Sequence, residues 1–151
     1  HSAFRRQRQM CIRDRMWAKR SLWERSTRVP LIISVPNGVM GKLCSKPVEL
    51  LSIFPTLSEI CELPHPNQID GLSIKRLLDN PQSKWNHPAI TTFNKGNHSI
   101  RSERYRYIRY ADGSEELYDH KTDSNEWNNL VNDPKYTKVR ESHIKWLSIV
   151  K

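Results

Sequence analysis

Apolar positions in the first half of the chain follow two patterns. Between Val29 and Val35 they run almost unbroken, in VPLIISVP, bounded by Pro30 and Pro36. A short run of that kind predicts a strand buried on both faces. Asn37-Gly38 then supplies a turn. In SKPVELLSIFPTLSEICEL the spacing changes, and Leu50, Phe54, Leu57 and Cys61 form one helical stripe, with Ser45 as N-cap and Pro47 near the first position. Pro55 has no backbone N–H to donate, so a kink or break is expected near Phe54.

A proline-rich loop, LPHPNQIDG, leads to a short helix in LSIKRLLDNP that ends before Pro81. From there the pattern becomes two-fold. AITTFN reads as a strand, and HSIRSERYRYIRYADGSEELYD reads as an antiparallel meander. Its strands lie near Ser99 to Arg101, from Tyr105 to Tyr110, and through Leu117 and Tyr118, with a hairpin turn at Asp112-Gly113. The last segment is helical: Asp133 is the N-cap, Pro134 fits the first position, and Tyr136, Val139, His143, Trp146, Leu147 and Val150 recur at helical spacing. This helix is expected to pack across one face of the sheet. The strand at Val29 needs neighbours that the rest of the pattern does not supply, so the chain reads as a fragment of a larger α/β protein.

Composition changes this picture only at the front. The 151 residues carry a formal net charge of +9, and the first fifteen, HSAFRRQRQMCIRDR, hold five arginines against Asp14. That block has neither apolar period nor the apolar stretch of a signal peptide, and it reads as a fused linker first, then as a disordered basic arm, and last as a nucleic-acid contact. No apolar run approaches the ~18 to 20 residues of a membrane span. Cys11, Cys44 and Cys61 form no CxxC, and six scattered histidines show no HxH or HxxxH spacing, so a zinc site is not expected. Disulfide or free thiol remains open for Cys44 and Cys61.

Several segments carry a resemblance. ELYDHKTDSNEWNNL, Glu116 to Leu130, is similar to the C-terminal signature of the type I sulfatases, an Asp-x-x-Glu-x-x-Asn-Leu loop after a strand; here the loop positions are Asp123, Glu126, Asn129 and Leu130. RVPLII, KPVELLSIFPTLSEICELP and IDGLSIKRLL resemble a late core strand, the next helix and an Asp-Gly segment in the same order. GNHSIRSERYRYIRYADGSEELYDH is similar to the iduronate-2-sulfatase-like branch.

The resemblance implies the C-terminal part of an alkaline-phosphatase-like α/β enzyme. Residues 16–95 would end the catalytic domain, contributing an edge strand and helices of its main sheet. Residues 96–151 would form a small α+β subdomain, with the meander and the C-terminal helix. It further implies a sulfuric ester hydrolase acting on sulfated carbohydrates, with a formylglycine nucleophile, a calcium ion and export from the cytoplasm. Lys19, in WAK, matches a lysine that holds the substrate sulfate; its ammonium would balance charge on the sulfate as the ester bond breaks. No cysteine here stands in a Cys-x-Pro-x-Arg motif, and RDRM occupies the place of a metal-binding Asp-His or Asp-Asn pair. The missing N-terminal portion is therefore the implied partner, it would hold the calcium ligands, and the fragment alone is expected to be inactive.

Asn97, His98 and Arg101, in a loop entering the meander, are candidate substrate-binding residues, and Asn97-His98-Ser99 is also a glycosylation sequon. Tyr105, Tyr107 and Tyr110, interleaved with Arg104, Arg106 and Arg109, raise nucleic-acid binding as the alternative. Tyr105 and Tyr107 share one strand face and Tyr110 takes the other, so they form no single stacking platform, and nucleic acid is not expected as a partner.

Overall fold

The computed structural model describes residues 21–36, 38–64 and 69–149. Its centre is an antiparallel meander of β1 (Ala89–Thr92), β2 (His98–Arg101), β3 (Tyr105–Arg109) and β4 (Glu115–Asp119), in spatial order β1-β2-β3-β4. Tight connections set the register. Phe93 N–H donates to the Asn97 carbonyl, Ser102 N–H to that of Tyr105, and Tyr110 N–H to that of Ser114. Gly96 sits at φ 84° in the first of these turns, and a Cβ there would lie 3.0 Å from the Ala111 Cβ. Glycine allows both the backbone conformation and the close approach of the two turns.

Two-residue alternation gives the sheet two different faces. Ile100 pairs with Tyr107 and Tyr107 with Leu117, so these three fall on one face, and all are fully buried. The chain's last segment covers them. Asp133 accepts from the Lys135 N–H at 3.0 Å and Pro134 opens a 3-10 turn, Pro134–Tyr136. The turn continues into an α-helix over Thr137–Ile144 and a second 3-10 turn, Lys145–Ile149. Tyr136, Val139, Trp146 and Leu147 pack on this core and His143 is buried, as the spacing predicts. Val150 lies outside the described residues. On the opposite face Ile108 and Tyr118 are covered by Leu22, with Trp23, Phe93 and Tyr110 packed around them. The boundary expected at 95/96 therefore falls inside the sheet, between β1 and β2, because β1 pairs with β2 over Ala89 to Thr92.

The front half departs from expectation. After α1 (Glu24–Thr27), residues 29–36 form no strand, and Val29 and Ile32 are 52% and 91% exposed. A strand needs a hydrogen-bonded neighbour and an apolar cover, and none of the described strands lies beside this segment. The turn after it forms nonetheless, with Gly38 N–H donating to the Val35 carbonyl; Asn37 lies outside the described residues. The next helix starts later than Ser45 and Pro47 suggest, as a 3-10 turn (Leu50–Ser52) that becomes α2 (Ile53–Ile60). Pro55 falls in the first turn of α2, where a missing N–H is tolerated. The expected break thus appears as the change from 3-10 to α geometry.

The stripe of α2 is reversed. Leu50, Phe54 and Leu57 are half or more exposed, whereas Ser52, Pro55, Thr56 and Ser58 are buried. Thr56 accounts for this: its hydroxyl donates to the Ser52 carbonyl and accepts from Ile74 N–H at 2.9 Å, which docks α3 (Lys75–Asp79) through buried Ile74 and Leu77. Gly71, at φ 101°, lets the linking loop cross so closely that a Cβ would stand 2.5 Å from the Leu51 carbonyl oxygen. Cys44 and Cys61 are both exposed free thiols.

Candidate functional site

Lys19 and Cys11 lie outside the described residues. The three other candidates do not converge on one point. Asn97 spends its side-chain carbonyl on the Ala111 N–H, tying the β1–β2 turn to the β3–β4 turn, while its amide donates to the Lys95 carbonyl. His98 shares Nδ1 with the Thr92 hydroxyl at 3.0 Å and lines an open groove with Lys95, Arg109 and Leu147. Arg101, three residues on, lies on the opposite face, where its guanidinium contacts Glu24 at 3.0 Å, the Ser102 carbonyl and His120 Nδ1 at 3.2 Å.

Arg101 belongs to a larger assembly, in which the segment Leu22 to Glu24 is clasped onto the sheet. Arg106, on the second face of β3 and 2% exposed, reaches out at three points. Nη1 donates to the Leu22 carbonyl at 2.8 Å and to the Ser99 hydroxyl at 2.5 Å, and Nη2 donates to Glu24 Oε2 at 2.5 Å. Its Nε lies 2.7 Å from Glu126 Oε1, as an ion-pair contact and not an aligned hydrogen bond. Glu126 Oε2 accepts the Glu24 backbone N–H at 2.8 Å, and Oε1 faces His120 Nε2 at 2.8 Å. Because Arg101 can only donate, Nδ1 of His120 accepts and Nε2 carries the hydrogen directed at Glu126. Trp23 completes the clasp by donating its indole N–H to Glu116 at 2.8 Å.

The electrostatics of the clasp are closed. Burial pushes the Glu24 carboxyl up, but the charge of Arg101 and the hydrogen bond from Arg106 outweigh it and hold the group below its usual range. Glu24, His120 and Glu126 bring three potential ligand atoms within 4.8 Å of one another. Calcium does not fit them: the carboxylate oxygens that would ligate it already face two guanidiniums, and a hard cation needs six or more oxygens in place of those contacts.

The Asp-x-x-Glu-x-x-Asn-Leu loop explains itself in the same terms. Asp123 accepts the N–H groups of Trp127 and Asn128, both at 2.8 Å. Asn129 accepts from Leu117 N–H and Val131 N–H and donates to the Glu115 carbonyl, pinning the loop to β4. Glu126 stands at the loop's apex with φ 59°, left-handed for a residue with a side chain. Its carboxylate contacts hold it there. Nearby Asp119, almost fully buried, takes two bonds from Arg104 at 2.8 and 2.5 Å, which hold its carboxyl low. On the helix side, Glu115 is likewise held low by its bond to Arg140.

Sequence reasoning drew Glu126 from its motif but did not connect it to Glu24, Arg106 or His120. Glu24 stands 102 residues ahead of Glu126, and no spacing rule spans that distance.

The comparisons with known proteins agree with this architecture. The family described as N-sulphoglucosamine sulphohydrolase, C-terminal, matches residues 13–150. A sulfatase of Formosa agariphila is 42% identical over 126 residues, covering 83% of this chain and 25% of that protein. A delta 4,5-hexuronate-2-O-sulfatase of Bacteroides thetaiotaomicron is 32% identical, covering 82% of this chain and 28% of its own length. The solved structure of a 2-O GAG sulfatase superposes with a TM-score of 0.52 at 29% identity, over 65% of this chain and 23% of that one. This chain thus spans about a quarter of the length of the curated relatives it matches. With the match running through nearly all of its residues, the chain belongs to the sulfatases, within the family of the N-sulphoglucosamine sulphohydrolase C-terminal region.

Proposed function

We propose that these residues are the C-terminal part of a sulfuric ester hydrolase of the iduronate-2-sulfatase-like branch, exported and acting on sulfated carbohydrates. The observation that carries this is the match over residues 13–150, joined by the likeness to a hexuronate-2-O-sulfatase. The exposed face of Leu50, Leu51, Phe54 and Leu57 supports it, since an apolar face of that size is covered in a folded enzyme, and a chain of about a quarter of its relatives' length leaves room for the cover. In this reading the formylglycine nucleophile and the calcium ligands belong to that larger portion. Lys19, which matches the family's sulfate-holding lysine by its place in WAK, is assigned the role of offsetting charge on the sulfate in the transition state. His98, beside Lys95 and Arg109, faces an anionic group of the sugar, with Asn97 holding the turn that presents it. Arg101, its charge already met by Glu24, acts on the substrate only through the segment it holds.

The test extends the reading frame upstream of Trp17, expresses the complete protein and measures release of inorganic sulfate from a 2-O-sulfated hexuronate oligosaccharide. Release that Lys19→Ala lowers by about a hundredfold, a loss comparable to removing one oxyanion-stabilising donor, is the expected result. The chain alone is expected to release none. Absence of hydrolysis in the complete protein, together with polyanion binding that weakens steeply with salt, would replace the enzyme with a basic binding module.

A further inference from the structure

The groove at the turn end of the sheet draws its lining from separate elements: Lys95 from the β1–β2 turn, His98 from β2, Arg109 from β3 and Leu147 from the last 3-10 turn. His98 and Arg109 are direct cross-strand partners on the face that carries Ile100 and Tyr107. That register sets their Cβ atoms about 5 Å apart and fixes an imidazole beside a guanidinium. Asn97 ties the two turns together through the Ala111 N–H, so the rim of the groove is held as well.

Positive charge in the groove is under-compensated. Glu115 lies 2.5 Å from Arg140 and 3.3 Å from Arg109, so two guanidiniums share one carboxylate. Lys95 makes no ion pair among the described residues. Asp112, in the neighbouring turn, spends its carboxylate on the Ser114 N–H and hydroxyl. His98 engages Thr92 through Nδ1, and Nε2 meets no partner among the described residues. Arg109 is the member free to move: its side chain is 41% exposed, and an arriving anion can take it while Glu115 keeps Arg140, which leaves no carboxylate unpaired. We infer that this groove is an anion-binding site complete within the chain, in which Lys95, His98 Nε2 and Arg109 hold a sulfate or carboxylate of a saccharide whose apolar face lies against Leu147. The anion follows from the geometry; that a saccharide carries it rests on the function proposed above. Every residue of the site lies between 95 and 147, so binding requires neither Lys19 nor turnover.

The experiment titrates the 151-residue chain calorimetrically with a 2-O-sulfated hexuronate oligosaccharide, its desulfated counterpart and inorganic sulfate. Saturable binding of the sulfated oligosaccharide is expected. Arg109→Ala and Lys95→Ala should each weaken it by about tenfold, the loss of one charge-assisted hydrogen bond, and His98→Ala by about threefold, the loss of a neutral one. Lys138→Ala removes the same charge from an exposed helix position outside the groove and should change affinity by less than about twofold. Lys95 is exposed and unpaired, so its variant tests the site without disturbing the fold. Loss of binding on desulfation assigns the anion to sulfate and its survival assigns it to the uronate carboxylate; either result supports the site. Should the chain not fold alone, the same variants are read in the complete protein, where Arg109→Ala should raise KM about tenfold at unchanged kcat.

A loss in Lys138→Ala equal to those in Lys95→Ala and Arg109→Ala means that binding follows net charge, and overturns the inference. So does a folded chain that binds neither oligosaccharide, or an unchanged KM in the complete protein. Inorganic sulfate that competes as well as the oligosaccharide overturns the saccharide assignment. An inactive complete protein whose groove still binds in the expected pattern removes the sulfatase reading and leaves the site, whereas an active enzyme indifferent to Lys95→Ala and Arg109→Ala does the reverse.

Discussion

The sheet region, residues 89–147, and the leading region, residues 29–85, are built from similar material but bury it differently. In the sheet region every large apolar residue on an inward-facing strand position finds a cover, from the final helix on one face and from Leu22 and Trp23 on the other. In the leading region the apolar stripe of α2 faces outward and a threonine takes the buried position. The helix does not prefer its polar side. Thr56 is buried because its hydroxyl, donating to the Ser52 carbonyl, accepts the Ile74 N–H of the segment that docks there, and Leu50, Phe54 and Leu57 stay out because no layer stands opposite them among the described residues. An amphipathic pattern thus reports which face is meant for burial, while the presence of a partner layer decides whether burial happens.

The sharpest way to break this contrast is at the clasp that ties Leu22 to Glu24, the residues covering the second face, onto the sheet. Glu126→Ala strands Arg106 without one of its two carboxylates, and loss of one partner from a buried ion pair costs about 3 to 5 kcal/mol, read from urea unfolding. Within the sheet core, Leu117→Ala removes a fully buried side chain and should cost about 3 kcal/mol by the same measurement.

Acid provides a graded test. The Asp119 carboxyl is held low chiefly by its hydrogen bond from Arg104, so its stabilisation is fully present above the ordinary aspartate value of about 3.9. It is lost as pH falls through the lowered folded value. Tm should therefore decline below about pH 4, and Asp119→Asn, less stable at neutral pH, should flatten that decline. The smallest effect is expected at Leu57→Ala in this chain, under about 0.5 kcal/mol, since the side chain is half exposed. In the complete protein the same change should cost about 2 kcal/mol or more if the stripe is covered there. Equal costs in the two settings would remove the contrast between the regions.

Elements whose stabilising contacts lie nearby in sequence were determined by the sequence itself. The meander follows from alternation and turn residues, and the Asp133-Pro134 start of the last helix follows from a local bond between Asp133 and the Lys135 amide. The two tyrosines on one face and the third on the other follow from strand period alone. The family resemblance was legible too, because its motif residues are spaced within single loops.

Only the tertiary structure decided the rest. The VPLIISVP run forms no strand, since a ladder needs a second strand that no local residue can supply. The direction of the α2 stripe depended on Ile74 meeting Thr56 across the intervening loop. The clasp was hidden for the same reason. Glu24, Arg101, Arg106, His120 and Glu126 each look like ordinary surface charges until the chain brings Leu22 to the sheet, and a buried charge reveals its purpose only through the partner that folding places beside it.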